Sequence, residues 1–535
     1  MMACARTGMI ATCVLFSTAL TSTGFTCVPD PAAERPIAFI SDLHMSFGRG
    51  LDGEWDRYED FRWPVALGGL LEHLRGWGEG RAELVIVGDL LELWQPRDRT
   101  ICQGQGPELG CRPDELVGLT RDVIKGHPEV FEMLGTWSRE GEHRLTLVPG
   151  NHDAALLLPS VQELVLEALG GQNGRVRVAT SGIWTSPDCQ LHAEHGQQIP
   201  LDPNLYTNWP QIEDAATGFV VRPWGEWFVQ QMFNKVERAY SLIDNLSPEI
   251  TGAWYRIGDR GYWTVASDVA EFIRVGFIQT SWAQRGQWVG APRGGSPDWN
   301  VEKARDLGHL LFARALPEDD EVRKLLLEEP ADEHVEALRD ELDRIAKDAV
   351  TAPNELVREL CTRIATLNTP ENNTAINSCR PARAGLLVSK VPGVREAAFA
   401  RHLSRRRDGN SRLTHFVYGH THQLEAPHAV RIDERHPAEV TVLNTGAFQR
   451  VVDSATYGRV LEQKSRELRR TITPGEGLRE LQPEDLPPCY TVALAVPQGL
   501  GWKVSLHRWH MAEDSSGAGL IPVGGEKERR LCWLR

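Results

Sequence analysis

The sequence predicts an α/β protein with a large, mostly helical insertion. Short apolar runs end abruptly on polar residues, amphipathic segments of helix length lie between them, and a long helical interval parts the early runs from the later ones. Ile37 to Ile40 reads as a buried strand running into Ser41, Asp42, Leu43 and His44. Leu84 to Val87 stops at Gly88 and Asp89, and Arg144 to Val148 stops at Pro149, Gly150, Asn151, His152 and Asp153. Val65 to Trp77 and Glu129 to Ser138 have the apolar spacing of helices between these strands. In open α/β sheets, ligand-binding groups collect at the carboxyl ends of strands, so the three polar tips are expected to converge. Cys189 to Ala193 leads to Glu194, His195 and Gly196, and Thr414 to Tyr418 leads to Gly419, His420, Thr421 and His422. In between, Phe228, Met232, Val236 and Tyr240 recur every four residues, and Val335, Leu338, Leu342 and Ile345 every three or four. This assigns 35–207 and 401–511 to two parts of one core and 208–400 to a helical insertion or cap. From Glu439 the chain returns to strands, with "CYTVALAVP" and "GWKVSLHRWH" paired across "QGLG". The stretch 512–535 reads as a loose tail.

At 535 residues the chain exceeds one ordinary hydrophobic core, which agrees with an inserted segment or a second domain. Its 41% hydrophobic and 24% charged residues exclude wholesale disorder and a multi-span membrane protein. A net charge of -15 opposes a general nucleic-acid surface and favours cations. Met9 to Leu20, preceded by Arg6 and followed by Thr21, Ser22 and Thr23, suits an export signal within 1–34, a frayed cytoplasmic start being the alternative. No later stretch approaches the ~18 apolar residues of a spanning helix. Of ten cysteines, Cys102 with Cys111 and Cys361 with Cys379 bracket short polar loops as disulfides do, and none forms a C-x-x-C zinc pair.

The five tips hold imidazoles, carboxylates and one amide, a donor set suited to Mn, Fe or Zn. Along an extended segment alternate side chains share a face, so Asp42 with His44, and His420 with His422, can each grip one ion. A carboxylate such as Asp89 has two oxygens and can join two ions about 3.5 to 4 Å apart. Gly88, Gly150, Gly196 and Gly419 leave room beside these side chains.

The ordered motifs D-x-H, G-D, G-N-H-D, H-G and G-H-x-H resemble those of the calcineurin-like metallophosphoesterases, over about 35–207 and 405–510. The resemblance implies a sandwich of two β-sheets flanked by helices. It also implies one divalent ion held by Asp42, His44, Asp89 and His422 and a second by Asp89, Asn151, His195 and His420. His192 competes with His195 for the fourth tip, and the glycine after His195 favours the latter. With two cations lowering the pKa of a bridging water, hydroxide would attack phosphorus while His152 protonates the leaving oxygen. Asp153 is either a brace for this site or a helix N-cap.

Protein Ser/Thr phosphatases of this family carry an Asp three residues after the Gly-Asp motif and an Arg beside it. Here these positions are Glu92 and Leu93, which disfavours a phosphoprotein and leaves Glu92 to brace His152. "GDLLELW" is closer to the branch of small-molecule phosphoesterases acting on nucleotide-linked lipids. The expected activity is hydrolysis of a small-molecule, nucleotide or lipid-linked phosphoester. The alternatives are a protein phosphatase and a non-catalytic relative that binds a partner. Arg97, Arg99 or the run Arg401, Arg405, Arg406 and Arg407 could meet phosphate, although solvated helix surface is the better reading of that run. Trp209, Trp224, Trp227, Phe228, Trp254, Tyr255, Trp263, Trp282 and Trp288 should mostly pack the insertion, with some lining an apolar groove.

Overall fold

The computed structural model describes residues 34–247, 394–511 and 518–532, apart from positions 51, 99, 107, 172–173, 200–201, 203, 235–238 and 434–435, together with Cys27, Pro29 and Asp30. The export segment, the helical expectations at Val335 to Ile345, the aromatics from Trp254 to Trp288, the Cys361–Cys379 pair and Arg99 lie outside the described residues.

The described chain is α/β with two mixed sheets. Strands β1 (Ile37–Ile40), β2 (Glu83–Val87), β3 (Arg144–Val148) and β4 (Val176–Val178) run parallel and adjacent. The first three are almost wholly apolar because both of their faces are covered. The second sheet contains β5 (Trp184–Thr185), β6 (Leu191–Ala193), β8 (His415–Tyr418), β9 (Leu424–Asp433) and β10 (His436–Thr445), with β6, β8 and β10 parallel. A two-stranded piece pairs β7 (Leu246–Ser247) with β11 (Val452–Asp453). Strands β12 (Cys489–Gln498), β13 (Gly501–His510) and β14 (Gly519–Pro522) complete the first sheet antiparallel, β12 lying against β1.

The period of two divides each central strand between two layers. Ile37, Phe39, Val85, Val87 and Val148 pack on Trp184, Leu191, Ala193, Val417 and Leu443 of the second sheet. Ala38, Ile40, Leu84, Ile86, Leu145 and Leu147 face helices α1 (Pro64–Arg75), α2 (Pro113–Gly126), α3 (Pro128–Arg139) and α4 (Pro159–Ala168). Each of these four helices opens on proline, whose fixed φ suits the first turn and whose missing N–H costs nothing there. A short helix, α5 (Trp224–Phe228), precedes the undescribed interval, and α6 (Val394–Gly409) follows it, Phe399 and Leu403 covering the outer face of the second sheet. Helix α6 therefore runs through the boundary expected at 400/401.

The tail expected to be loose is built into the fold from Gly519. Strand β14 pairs with β13, helix α9 (Glu526–Leu531) follows, and Cys532 joins Cys489; helices α7 (Ser454–Glu467) and α8 (Pro474–Arg479) lie before it. The expected Cys102–Cys111 disulfide is present, and Cys27 pairs with Cys189. Among the described residues no helix is long and apolar enough to cross a membrane.

Candidate metal centre

The carboxyl ends of β1, β2 and β3 meet those of β6 and β8 at one edge of the two sheets. Backbone bonds join the tips pairwise: Asp42 N–H donates to Gly88 O at 3.1 Å, His44 N–H to Asp89 O at 2.9 Å, and Gly419 N–H to His195 O at 2.9 Å. Across the sheets, the His420 N–H donates to the Asp42 carboxylate at 3.1 Å. Among the described residues four groups of three potential ligands result, and two of them are made wholly of the expected ligands. The ligating atoms of Asp42, His44 and His422 lie within 4.8 Å of one another, as do those of Asp89, His195 and His420. Asp89 stands between the groups, with Oδ2 2.8 Å from His195 Nε2 and 3.7 Å from His44 Nε2. His422 Nε2 is 3.4 Å from Asp42 Oδ1 and 3.1 Å from His44 Nε2. Asn151 is buried beside them, and its Oδ1 has no hydrogen-bond partner. The next residue, His152, donates its backbone N–H to Asp89 Oδ1 at 2.9 Å.

The backbone around these side chains is costly to build. Nine non-glycine residues among those described have positive φ, and five of them are Asp42, His44, Asp89, His420 and His422, with φ between 52° and 74°. Each such residue costs about 1–3 kcal/mol unless its surroundings enforce it, and such residues concentrate at functional sites. The glycines answer a need for space. A Cβ on Gly88, whose φ is +87°, would lie 2.2 Å from His195 Nδ1, and one on Gly150 would lie 2.1 Å from Asp89 Oδ1.

Burial alone would protonate these carboxyls, but the imidazoles reverse it. Against burial, His195 and then the hydrogen bonds of His422 and His44 hold Asp42 well below the usual carboxylate range. Glu92 is likewise buried, yet His152 and His44 bring it down to about 2. His195 is raised to about 9, because Asp89 and Asp42 outweigh its own desolvation. Asp153 moves the other way, up to about 7, driven by burial and then by the Asp89 charge.

Several supporting residues surround the cluster. The Asp153 carboxylate accepts from the backbone N–H groups of Asp89, Leu90, Leu91 and Gly150, sewing the second tip to the third, and it caps no helix with its side chain. Glu92 Oε2 contacts both His44 Nδ1, at 3.1 Å, and His152 Nδ1. Trp94 stacks on the His152 ring with centroids 3.9 Å apart. The Asn234 amide donates to the Trp94 carbonyl at 3.4 Å. The end of β10 secures two tips: Thr445 Oγ1 bonds Ser41 Oγ at 2.6 Å, Asn444 donates to Gly419 O, and Gln449 donates to Leu43 O. Trp94, Asn444, Thr445, Gln449 and Asp202, whose Oδ2 lies 2.9 Å from His420 Nε2, are absent from the sequence expectations. Only Asn444 and Thr445, at the end of an apolar run, carried a signal of the kind used for the other tips.

Three expectations are corrected here. His192 does not compete for the site: its Nε2 meets Glu194 Oε1 at 2.9 Å within a buried cluster. Arg406 is no solvated surface residue, since its Nε donates to Glu194 Oε1 at 3.0 Å and its Nη2 to Oε2, alongside His402 Nε2 at 2.6 Å from Oε1. Trp224 is 1% exposed and stacked on Phe228, so it packs the interior and lines no groove. Trp227 lies under the Arg222 guanidinium, Trp209 contacts Tyr206, and Arg97 is committed to Asp56. No family model matches the chain, and no curated protein matches it.

Proposed function

We propose that this protein is a metal-dependent phosphoester hydrolase using two divalent cations, as its resemblance to the calcineurin-like metallophosphoesterases implies. The observation that carries the reading is the meeting of all five motif tips around Asp89, with an acceptor-capable group on each side of it. The residues fit cations. Asn151 Oδ1 is buried with no hydrogen-bond partner, and the missing Cβ atoms of Gly88 and Gly150 let His195 and Asp89 pack tightly against the turns of the second and third tips. Asp42, His44, Asp89 and His422 would hold one ion, and Asp89, Asn151, His195 and His420 the other, the donor set favouring Mn, Fe or Zn. Bound there, such ions supply Lewis acidity at a phosphoryl oxygen and a water that ionises near neutral pH. The same reading assigns the two sheets to the family's sandwich and 208–400 to its cap. The three disulfides favour an exported location.

The chain's own part in the reaction centres on His152. Its Nδ1 faces Glu92, its ring rests on Trp94, and its side chain is 17% exposed, so Nε2 is the nitrogen left to give a proton to a departing oxygen. To act as the acid, His152 must carry protons on both ring nitrogens: the Nδ1 proton bonds to Glu92, which is held anionic, and the Nε2 proton is the one transferred. A small-molecule, nucleotide or lipid-linked phosphoester is the substrate class that this reading implies.

The test is turnover of p-nitrophenyl phosphate and bis(p-nitrophenyl) phosphate by chelated protein resupplied with Mn²⁺, Fe²⁺ or Zn²⁺. Turnover of either ester that follows metal addition is expected, and none with any ion overturns the reading. His152→Gln should lower kcat by about 10²–10⁴-fold for an alkyl phosphoester and far less for a p-nitrophenyl ester, whose leaving group needs no proton. Equal losses on both would contradict the acid role.

A further inference from the structure

The loop after β6 reaches back over the metal centre. Asp202 Oδ2 lies 2.9 Å from His420 Nε2, although the residues are 218 positions apart. The carboxylate is itself held: Oδ1 accepts the Asn204 N–H at 2.8 Å, and the Asp202 N–H donates to Ile199 O at 3.2 Å. Asn204 Nδ2, 3.5 Å from the same imidazole nitrogen, is too far to compete with the carboxylate for it, and the Asn204 amide is pressed against Gly225, where a Cβ would lie 1.6 Å from Asn204 Oδ1. The ring is fixed from the other end too, because the His420 backbone N–H donates to Asp42 and a Cβ on Gly196 would sit 3.3 Å from His420 Cβ.

We propose that Asp202 is a positioning residue for His420: its carboxylate holds the imidazole with the proton on Nε2 and leaves Nδ1 as the nitrogen that ligates the ion shared with Asp89 and His195. This rests on the metal-centre reading above. A carboxylate oxygen 2.9 Å from a ring nitrogen is stable only if that nitrogen carries a proton, since two facing lone pairs would repel. A neutral imidazole has one proton to place, so fixing it at Nε2 frees Nδ1. Carboxylates that take the second ring N–H of a ligating histidine typically contribute 10- to 100-fold to metal affinity. Asp202 is 21% exposed at its side chain, near the rim of the site, so its removal need not disturb the core.

The experiment is calorimetric titration of the metal-free full chain with Mn²⁺ and with Zn²⁺, comparing wild type, Asp202→Ala and Asp202→Asn. Two ions per chain are expected for wild type. Asp202→Ala should weaken one of the two sites by about 10- to 100-fold and leave the other unchanged. Asp202→Asn, whose amide oxygen can still accept the Nε2 proton, should recover most of that loss. Unchanged affinities in Asp202→Ala overturn the proposal, and so does equal weakening of both sites with a lowered melting temperature, which marks a merely structural role. A wild-type chain that takes up no ion overturns the metal-centre reading itself and is told apart from either of those results.

Discussion

Asp89→Asn is expected to lower turnover by about a thousandfold or more, about 4 kcal/mol of barrier, while the fold survives. The Asp89 carboxylate stands between both groups of the centre: its Oδ2 faces His195 and His44, and its Oδ1 accepts the His152 N–H. An amide keeps the shape but loses the charge and one acceptor oxygen, so the carboxylate that joins two ions is gone. Some stability should be lost as well, because His195, His152 and His44 hold the buried Asp89 carboxylate well below the usual carboxylate range, and only part of this is offset by relief of the Asp89 charge beside Asp153. The checks are steady-state kinetics, metal content and a melting curve on one preparation. Turnover within tenfold of wild type, with metal retained, would remove Asp89 from the proposed role.

Glu194→Gln is expected to cost about 3–5 kcal/mol of stability, the range for breaking a buried ion pair by removing one partner. Glu194 has 3% side-chain exposure and answers His192, His402 and both donors of Arg406 at once. About a quarter of the Arg406 side chain is exposed, and solvent screening there places the expected loss toward the lower end of the range. The pair joins the turn after β6, which carries His195, to helix α6, so its loss loosens the hold of that helix on the second sheet. Urea unfolding of wild type, Glu194→Gln, Arg406→Gln and the double variant measures the coupling. A single-variant loss under about 1 kcal/mol would mean that the cluster contributes no more than a surface pair.

The strands that carry the site were legible because a buried strand writes itself as an apolar run and a ligand tip as its sudden polar end. Ile37–Ile40 and Arg144–Val148 lie where the sequence places them, and the β12–β13 hairpin turns across Gln498 and Gly501. The joining of tips from distant segments was legible only in the ordered set of motifs. Contacts made by residues with no pattern around them were hidden. Asp202 lies in a loop whose sequence resembles any polar turn, and nothing local announces a partner 218 residues away. Arg406 belongs to a basic run with the composition of solvated helix, and only tertiary packing separates it from exposed Arg405. Strand β9 lies at the edge of its sheet with much of its surface in solvent, so it lacks the apolar signature of β8. Strand β14 is short and glycine-bounded, which made a paired edge look like a tail.

The central claim is tested most directly by anomalous diffraction from crystals grown with Mn²⁺ or Zn²⁺. Two peaks about 3.5 to 4 Å apart are expected, one beside Asp42, His44 and His422, the other beside Asn151, His195 and His420, with the Asp89 carboxylate between them. A crystal soaked to saturation that gives no peak at this cluster, or a single peak that Asp89 does not touch, would contradict it.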